Sequence, residues 1–231
     1  MKSIFVLTFS LSILLSPNLD ASTKTLADWA NFQREADNLC RKNQHDDAIK
    51  IYDQVIKGRL PLQGNQHRDI GVAWNNLGVA FYSQGENERA NEAYNQAIKI
   101  LLPAVGADHP DILIVKTNIA FVEESKNNFE TAEKSFRELL KRKLPIVGAQ
   151  HPELADCQEG LALSLVGQEK LEEALSLLNK ALSTRVKKFG PEHTDVGATH
   201  AAMAIIFLNQ ADFDSANKHD EEARHERRRG P

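Results

Sequence analysis

Sulfur and large aromatic side chains are scarce in this chain: 231 residues hold two cysteines, two methionines, two tryptophans and three tyrosines. Cys40 and Cys157 alone cannot form the disulfide framework of a small secreted domain, and no Cys-x-x-Cys pair exists for zinc or redox work. The glycine-rich phosphate loop, the His-Glu-x-x-His pair and the nucleophile elbow are missing too. Carboxylates are many, but they alternate with Lys and Arg, and Glu172 and Glu173 sit just inside a helix start, where the dipole favours them. With no residues to name for catalysis, no enzyme activity and no cofactor are expected. An excess of one charge is also lacking. Lys and Arg number 28 against 32 Asp and Glu, a net charge of −4, which argues against nucleic acid and anionic membranes as partners.

One apolar run stands at the start. Met1-Lys2-Ser3 is followed by IFVLTFSLSILL, then Pro17 and the small-residue site Leu19-Asp20-Ala21. That layout predicts a secretory signal peptide over 1–21, too short to span a bilayer, and no later stretch is apolar enough to do so. No cysteine follows the run, so a lipid anchor is not indicated. The expected location is periplasmic or secreted. The mature chain from Ser22 to Pro231 is then 210 residues, or five times 42. Cys40 and Cys157 fall in the first and fourth of five units. A disulfide needs Cα atoms within about 7 Å, so two buried, inert thiols are expected, with intermolecular pairing the lesser alternative.

Forty-two is the period of the chain. Ala48, Ala90, Ala132, Ala174 and Ala216 step by it, and four residues on lie Tyr52, Tyr94, Phe136, Leu178 and the exception Asp220. Gly64, Gly106, Gly148 and Gly190 step by 42, as do His67, His109, His151 and His193. Such self-similarity marks a solenoid, in which a unit cannot bury its own apolar face and leans on its neighbours. The units are read as 22–68, 69–110, 111–152, 153–194 and 195–231, each a helix, a tight turn and a second helix. The turns fall at Asn43-Gln44-His45, Gly85, Asn127-Asn128, Gly167-Gln168 and Ala211-Asp212. Ser22 or Thr23 is the expected first cap. The loop 61–66 and Pro145 are expected to end second helices. Gly64, Gly106, Gly148 and Gly190 close the first four units, and His109-Pro110-Asp111 and His151-Pro152-Glu153 restart the third and fourth. The small Ala lets two backbones approach, and the ring four residues on fills the groove between units. The last helix is charged, as a terminal repeat requires on its open face.

Trp74, Leu77, Gly78, Phe81, Ala90, Tyr94 and Ala97 carry a spacing that resembles the tetratricopeptide repeat, lengthened from 34 residues. Asn75-Asn76-Leu77 and Gly106-Ala107-Asp108-His109-Pro110-Asp111 resemble the repeats of kinesin light chains. The resemblance covers essentially all of the mature chain. It implies an all-α, right-handed superhelix of five helix-turn-helix units whose first helices line a concave peptide-binding groove. Asn76 and Asn118 occupy the column where family members hold a ligand's backbone, with Arg34 their counterpart in the first unit. Val72, Asn75, Val79, Tyr82 and Ser83, then Ile114, Thr117, Phe121 and Glu124, are expected beside them. Asp156, Glu159 and Leu163 follow in the fourth unit. No Lys or Arg flanks Asn76 or Asn118, so an internal segment with mixed polar and apolar side chains is expected rather than a chain end.

The histidines recur once per unit, a whole helix pair apart, and cannot converge on one metal. Their expected work is hydrogen bonding in the loops. The partner expected is a protein or peptide. A self-associating adaptor and an auxiliary subunit of an envelope enzyme complex are the alternatives, and the less masked first unit leaves a homodimer open.

Overall fold

A computed structural model describes residues 24–229, with side chains to 224. The expected signal peptide and the Ser22 or Thr23 cap lie outside the described residues. Within them are ten α-helices and no strand: α1 (Leu26–Arg41), α2 (His45–Gln63), α3 (Arg68–Ser83), α4 (Asn87–Val105), α5 (Pro110–Ser125), α6 (Phe129–Val147), α7 (Pro152–Val166), α8 (Leu171–Phe189), α9 (Thr194–Asn209) and α10 (Phe213–Arg229). Each helix packs on the next in sequence, and the odd-numbered helices also meet one another in series from α1 to α9. A row of helices bends toward the side on which they approach, so the odd helices form the inner wall and the even helices the outer one. The described chain is an all-α repeat solenoid.

The repeating columns are its core. Ala48, Ala90, Ala132 and Ala174 are fully buried, as are Phe136 and Leu178, with Tyr52 and Tyr94 nearly so. Tyr94 lies over Gly78 of its own pair, whereas Phe136 lies against Gly160 of the next unit. Phe136 also meets Phe121 of its own unit edge-on, ring centroids 5.0 Å apart, so its ring packs both within a unit and between units. Where the column ends in Asp220, the side chain turns to Arg224 at 2.8 Å.

The joints differ from expectation in two places, and a third shows which turn residue is left-handed. Thr25 caps α1 through a capping box, with its hydroxyl accepting from the Asp28 N–H and the Asp28 carboxylate accepting from the Thr25 N–H. The second helices run past Pro61, Pro103 and Pro145 to the glycine. Each proline removes one hydrogen bond, from the carbonyl four residues back, and those residues (Lys57, Lys99, Lys141) are exposed. In the fourth turn the left-handed residue is Glu169 rather than Gly167. Asn43, Gly85, Asn127, Glu169 and Ala211 all have φ of 57–77° and step by 42, whereas Gly167 has φ −62°. Gly167 is small because a Cβ there would strike the Phe129 ring at 2.5 Å.

The histidines cap helices. The Nδ1 atoms of His67, His109, His151 and His193 accept the N–H of Asp69, Asp111, Glu153 and Asp195 at 3.2–3.3 Å. Each Nδ1 thus satisfies one of the N–H groups that a helix start leaves free.

Candidate functional site

The inner wall holds a chain of amides. Asn118 Nδ2 donates to Asn75 Oδ1 at 2.8 Å, Asn75 Nδ2 to Asn76 Oδ1 at 3.2 Å, and Asn76 Nδ2 to Asp37 Oδ1 at 3.1 Å. The Tyr52 hydroxyl donates to the same Asp37 oxygen at 2.5 Å. Burial, and then Asp37, push the Tyr52 phenol far up, so it stays a donor. This chain crosses three units from α1 to α5. Asn75, expected on the open wall, is instead buried, because it bridges two amides of successive units. Asn76 and Asn118 are half-buried, and one N–H of each is already engaged.

Two clefts lie along the inner wall. The first, about 360 Å³, is lined by Ala30, Gln33, Arg34, Asp37, Arg59, Arg68, Asp69 and Val72. The second, about 270 Å³, is lined by Ile114, Thr117, Asn118, Phe121, Lys143, Glu153, Asp156, Glu159 and Arg185. They occupy equivalent positions of the repeat, with different side chains. Ala30, Gln33, Arg34, Asp37, Arg59, Asp69 and Val72 become Ile114, Thr117, Asn118, Phe121, Lys143, Glu153 and Asp156, each 84 residues on.

Beneath these clefts is a column that the sequence reading passed over. Arg59, Leu101, Lys143 and Arg185 step by 42 on the outer helices, and all four are buried. Arg59 Nη1 meets Asp69 at 2.8 Å, and Lys143 Nζ meets Glu153 at 3.2 Å. Arg185 pairs with Asp156 at 2.8 Å and with Glu159, and donates to Thr199 Oγ1 at 2.7 Å and to the Asp195 carbonyl at 3.1 Å. It joins α7, α8 and α9 through one guanidinium. Burial raises the Glu159 carboxyl above its ordinary range even with Arg185 beside it. Leu101 fills the equivalent place in the second unit, against Gly71. The period alone could have flagged this column, but charged residues on a second helix read as solvated surface.

The remaining expected residues are placed as follows. Val72, Tyr82 and Leu163 are half-buried, and Val79 is 37% exposed. With Phe121 and Ile205, Val79 and Leu163 make an apolar stripe at 42-residue steps along the odd helices. Thr117 lines the second cleft, yet its hydroxyl is spent on the Leu113 carbonyl at 2.7 Å. Ser83 is likewise bonded to the Val79 carbonyl at 3.0 Å. Glu124 is half-buried, and burial raises its carboxyl. Gly160, in the asparagine column, ends the run of amides at the fourth unit.

A larger cleft, about 1120 Å³, runs between α6 and α8 on the outer side, over Leu154 and Gln158. The inner clefts are the better candidate despite their size, because charged and amide groups converge there and recur. Both cysteines are free. Cys157 is buried, and burial raises its thiol, but Cys40 is only half-buried, short of the two inert core thiols expected. Among the described residues no three His, Cys, Asp or Glu side chains are placed to hold a metal ion. None of the described helices is long and apolar enough to cross a membrane.

Comparison with known proteins agrees with this geometry. A family model described as tetratricopeptide repeat matches residues 27–102, 111–185 and 158–224. Comparison with curated proteins finds no match. Among solved structures, BtubC (BKLC) from P. vanneervenii is similar, with TM-score 0.64, 20% identity, and 84% of this chain and 77% of that chain covered. A putative kinesin light chain from Podosopora anserina with nearly identical TPR-like repeats gives 0.64, 17%, 87% and 95%. The Rap conjugation gene regulator of the plasmid pLS20, in complex with the Phr* peptide, gives 0.76, 14%, 95% and 58%. The repeat period, the ten helices and the matched residues together place the chain in the tetratricopeptide repeat family.

Proposed function

We propose that this protein is a non-catalytic scaffold that holds an extended segment of a partner protein along its inner wall, in the cell envelope or outside the cell. One observation carries the reading: the inner wall places clefts at equivalent positions 84 residues apart, beside an apolar stripe set in register with them. A peptide in extended form also repeats, with alternate side chains on one face, so a periodic wall suits it better than a compact ligand. The structural neighbours described as complexes with a Phr* peptide and with competence and sporulation factor support the choice of ligand class. The N-terminal run of the sequence supports an exported location.

A random peptide library selected against the protein tests this. Val79→Arg and Leu163→Arg should each weaken selected peptides by roughly tenfold or more, since each places an uncompensated charge in the stripe. Gln96→Arg, at an exposed site on the outer helix α4, should leave them bound. Peptides that bind all three variants alike would refute the groove.

A further inference from the structure

We propose that the first cleft is a receptor for a carboxylate side chain in the bound segment. The proposal rests on the groove reading above and adds a chemical class to one place in it. Three guanidinium groups, Arg34, Arg59 and Arg68, line this cleft against two carboxylates, Asp37 and Asp69. The three guanidinia are not equivalent. Arg68 is spent on Asp111 of α5, through Nε at 2.5 Å and Nη2 at 3.0 Å. Arg34 is exposed and donates only to the Asn31 amide at 2.6 Å, so its charge has no carboxylate partner. Arg59 is 4% exposed, and both its hydrogen bonds, to Asp69 and Gln63, leave from Nη1. Its Nε is buried without a partner.

A buried N–H with no acceptor is destabilising, so it marks a place where an acceptor is missing. Each carboxylate already present takes its two bonds through one oxygen, and none of them comes from Arg59 Nε. Asp37 accepts from Tyr52 and Asn76, and Asp69 from Arg59 and Gln63. An incoming carboxylate has lone pairs for both Arg59 and Arg34, and charge-assisted bonds to guanidinium are about twice as strong as neutral ones. The second cleft holds an orphan of the same kind, the buried Nε of Arg185, but its charge balance differs. Lys143 stands in place of Arg59 and Asn118 in place of Arg34, while Glu153, Asp156 and Glu159 outnumber its two cations. That acidic excess repels an incoming carboxylate at the second cleft, so acid recognition is assigned to the first.

The test uses a random peptide library displayed as internal fusions, so that no free chain end is offered. Peptides selected on the wild type should share Asp or Glu at one register. A synthetic peptide from that set should lose roughly tenfold or more on Asp→Asn, and the same change should cost little on Arg34→Gln or Arg59→Met. Arg34→Gln removes an exposed side chain and keeps the experiment decisive if Arg59→Met does not fold. Amidating the peptide's C-terminus should change nothing, and a loss seen only on amidation overturns the side-chain assignment. Groove-bound peptides with no shared acid, or with no coupling to Arg34, overturn the carboxylate receptor and leave the groove standing. Peptides indifferent to Val79→Arg and Leu163→Arg refute the groove and this inference with it.

Discussion

Gly78 and Glu169 are small-scale tests of how tightly the repeat is built. A Cβ at Gly78 would lie 2.5 Å from Cε1 of Tyr94, whose ring is buried. The Tyr94 side chain has no room to retreat, so Gly78→Ala should destabilise by about 1–3 kcal/mol, read from the chemical denaturation midpoint. Glu169 is the opposite case. It is exposed and holds φ 61°, which glycine adopts freely and other residues do not. Glu169→Gly should therefore raise stability by up to about 1 kcal/mol, less the entropy glycine adds to the unfolded chain. The turn lies at Gly167-Gln168 as the sequence indicates, but its left-handed residue is Glu169. Nothing local says that this glycine is small to admit Phe129 from another helix.

At the scale of the helix, two ties set the outcome. Arg185, a residue only 5% exposed, binds α7, α8 and α9 together. Arg185→Met should cost about 3–5 kcal/mol, since it leaves Glu159 buried without its cation, and thermal melting measures the loss. The last helix is held by a pair of imidazoles. His200 and His219 meet Nδ1 to Nδ1 at 2.8 Å, and the His219 ring stacks on Phe207. Burial lowers both imidazoles below the ordinary 6.5, with Lys218 adding to this and Glu222 opposing it. A base held neutral in the fold gives stability that is full above its unfolded pKa and is lost as pH falls below 6.5. Hydrogen exchange of α10 should accelerate between pH 7.5 and 5 relative to α4, and His219→Gln should flatten that dependence. Such a pairing is invisible in sequence, since His200 and His219 belong to different columns and neither recurs.

The whole molecule is a row, and each unit's exposed face is its neighbour's core. Ala202, Met203 and Ile206 of α9 share a buried cluster with Leu161, Leu165 and Leu178 of the fourth unit. Deleting residues 191–231 uncovers those leucines, so the shortened protein should self-associate in light scattering more than the intact chain does at the same concentration. The apolar column Leu60, Leu102, Leu144 and Val186 is already 37–49% exposed, so the outer side is less shielded than the core.

The helical pairs, their period and their packing columns were legible in the sequence, because a repeat writes the same steric demand five times over. The histidine loops were legible for the same reason. What tertiary structure decided is which polar groups remain free. Asn75 and Thr117 lie in the right columns for the groove, yet one bridges two amides and the other bonds its own helix. Arg59 lies on a second helix, yet its guanidinium reaches under the inner wall. Periodicity fixes where a side chain starts, but hydrogen bonding to the next unit, which joins residues some 40 positions apart, decides what it has left to offer a ligand.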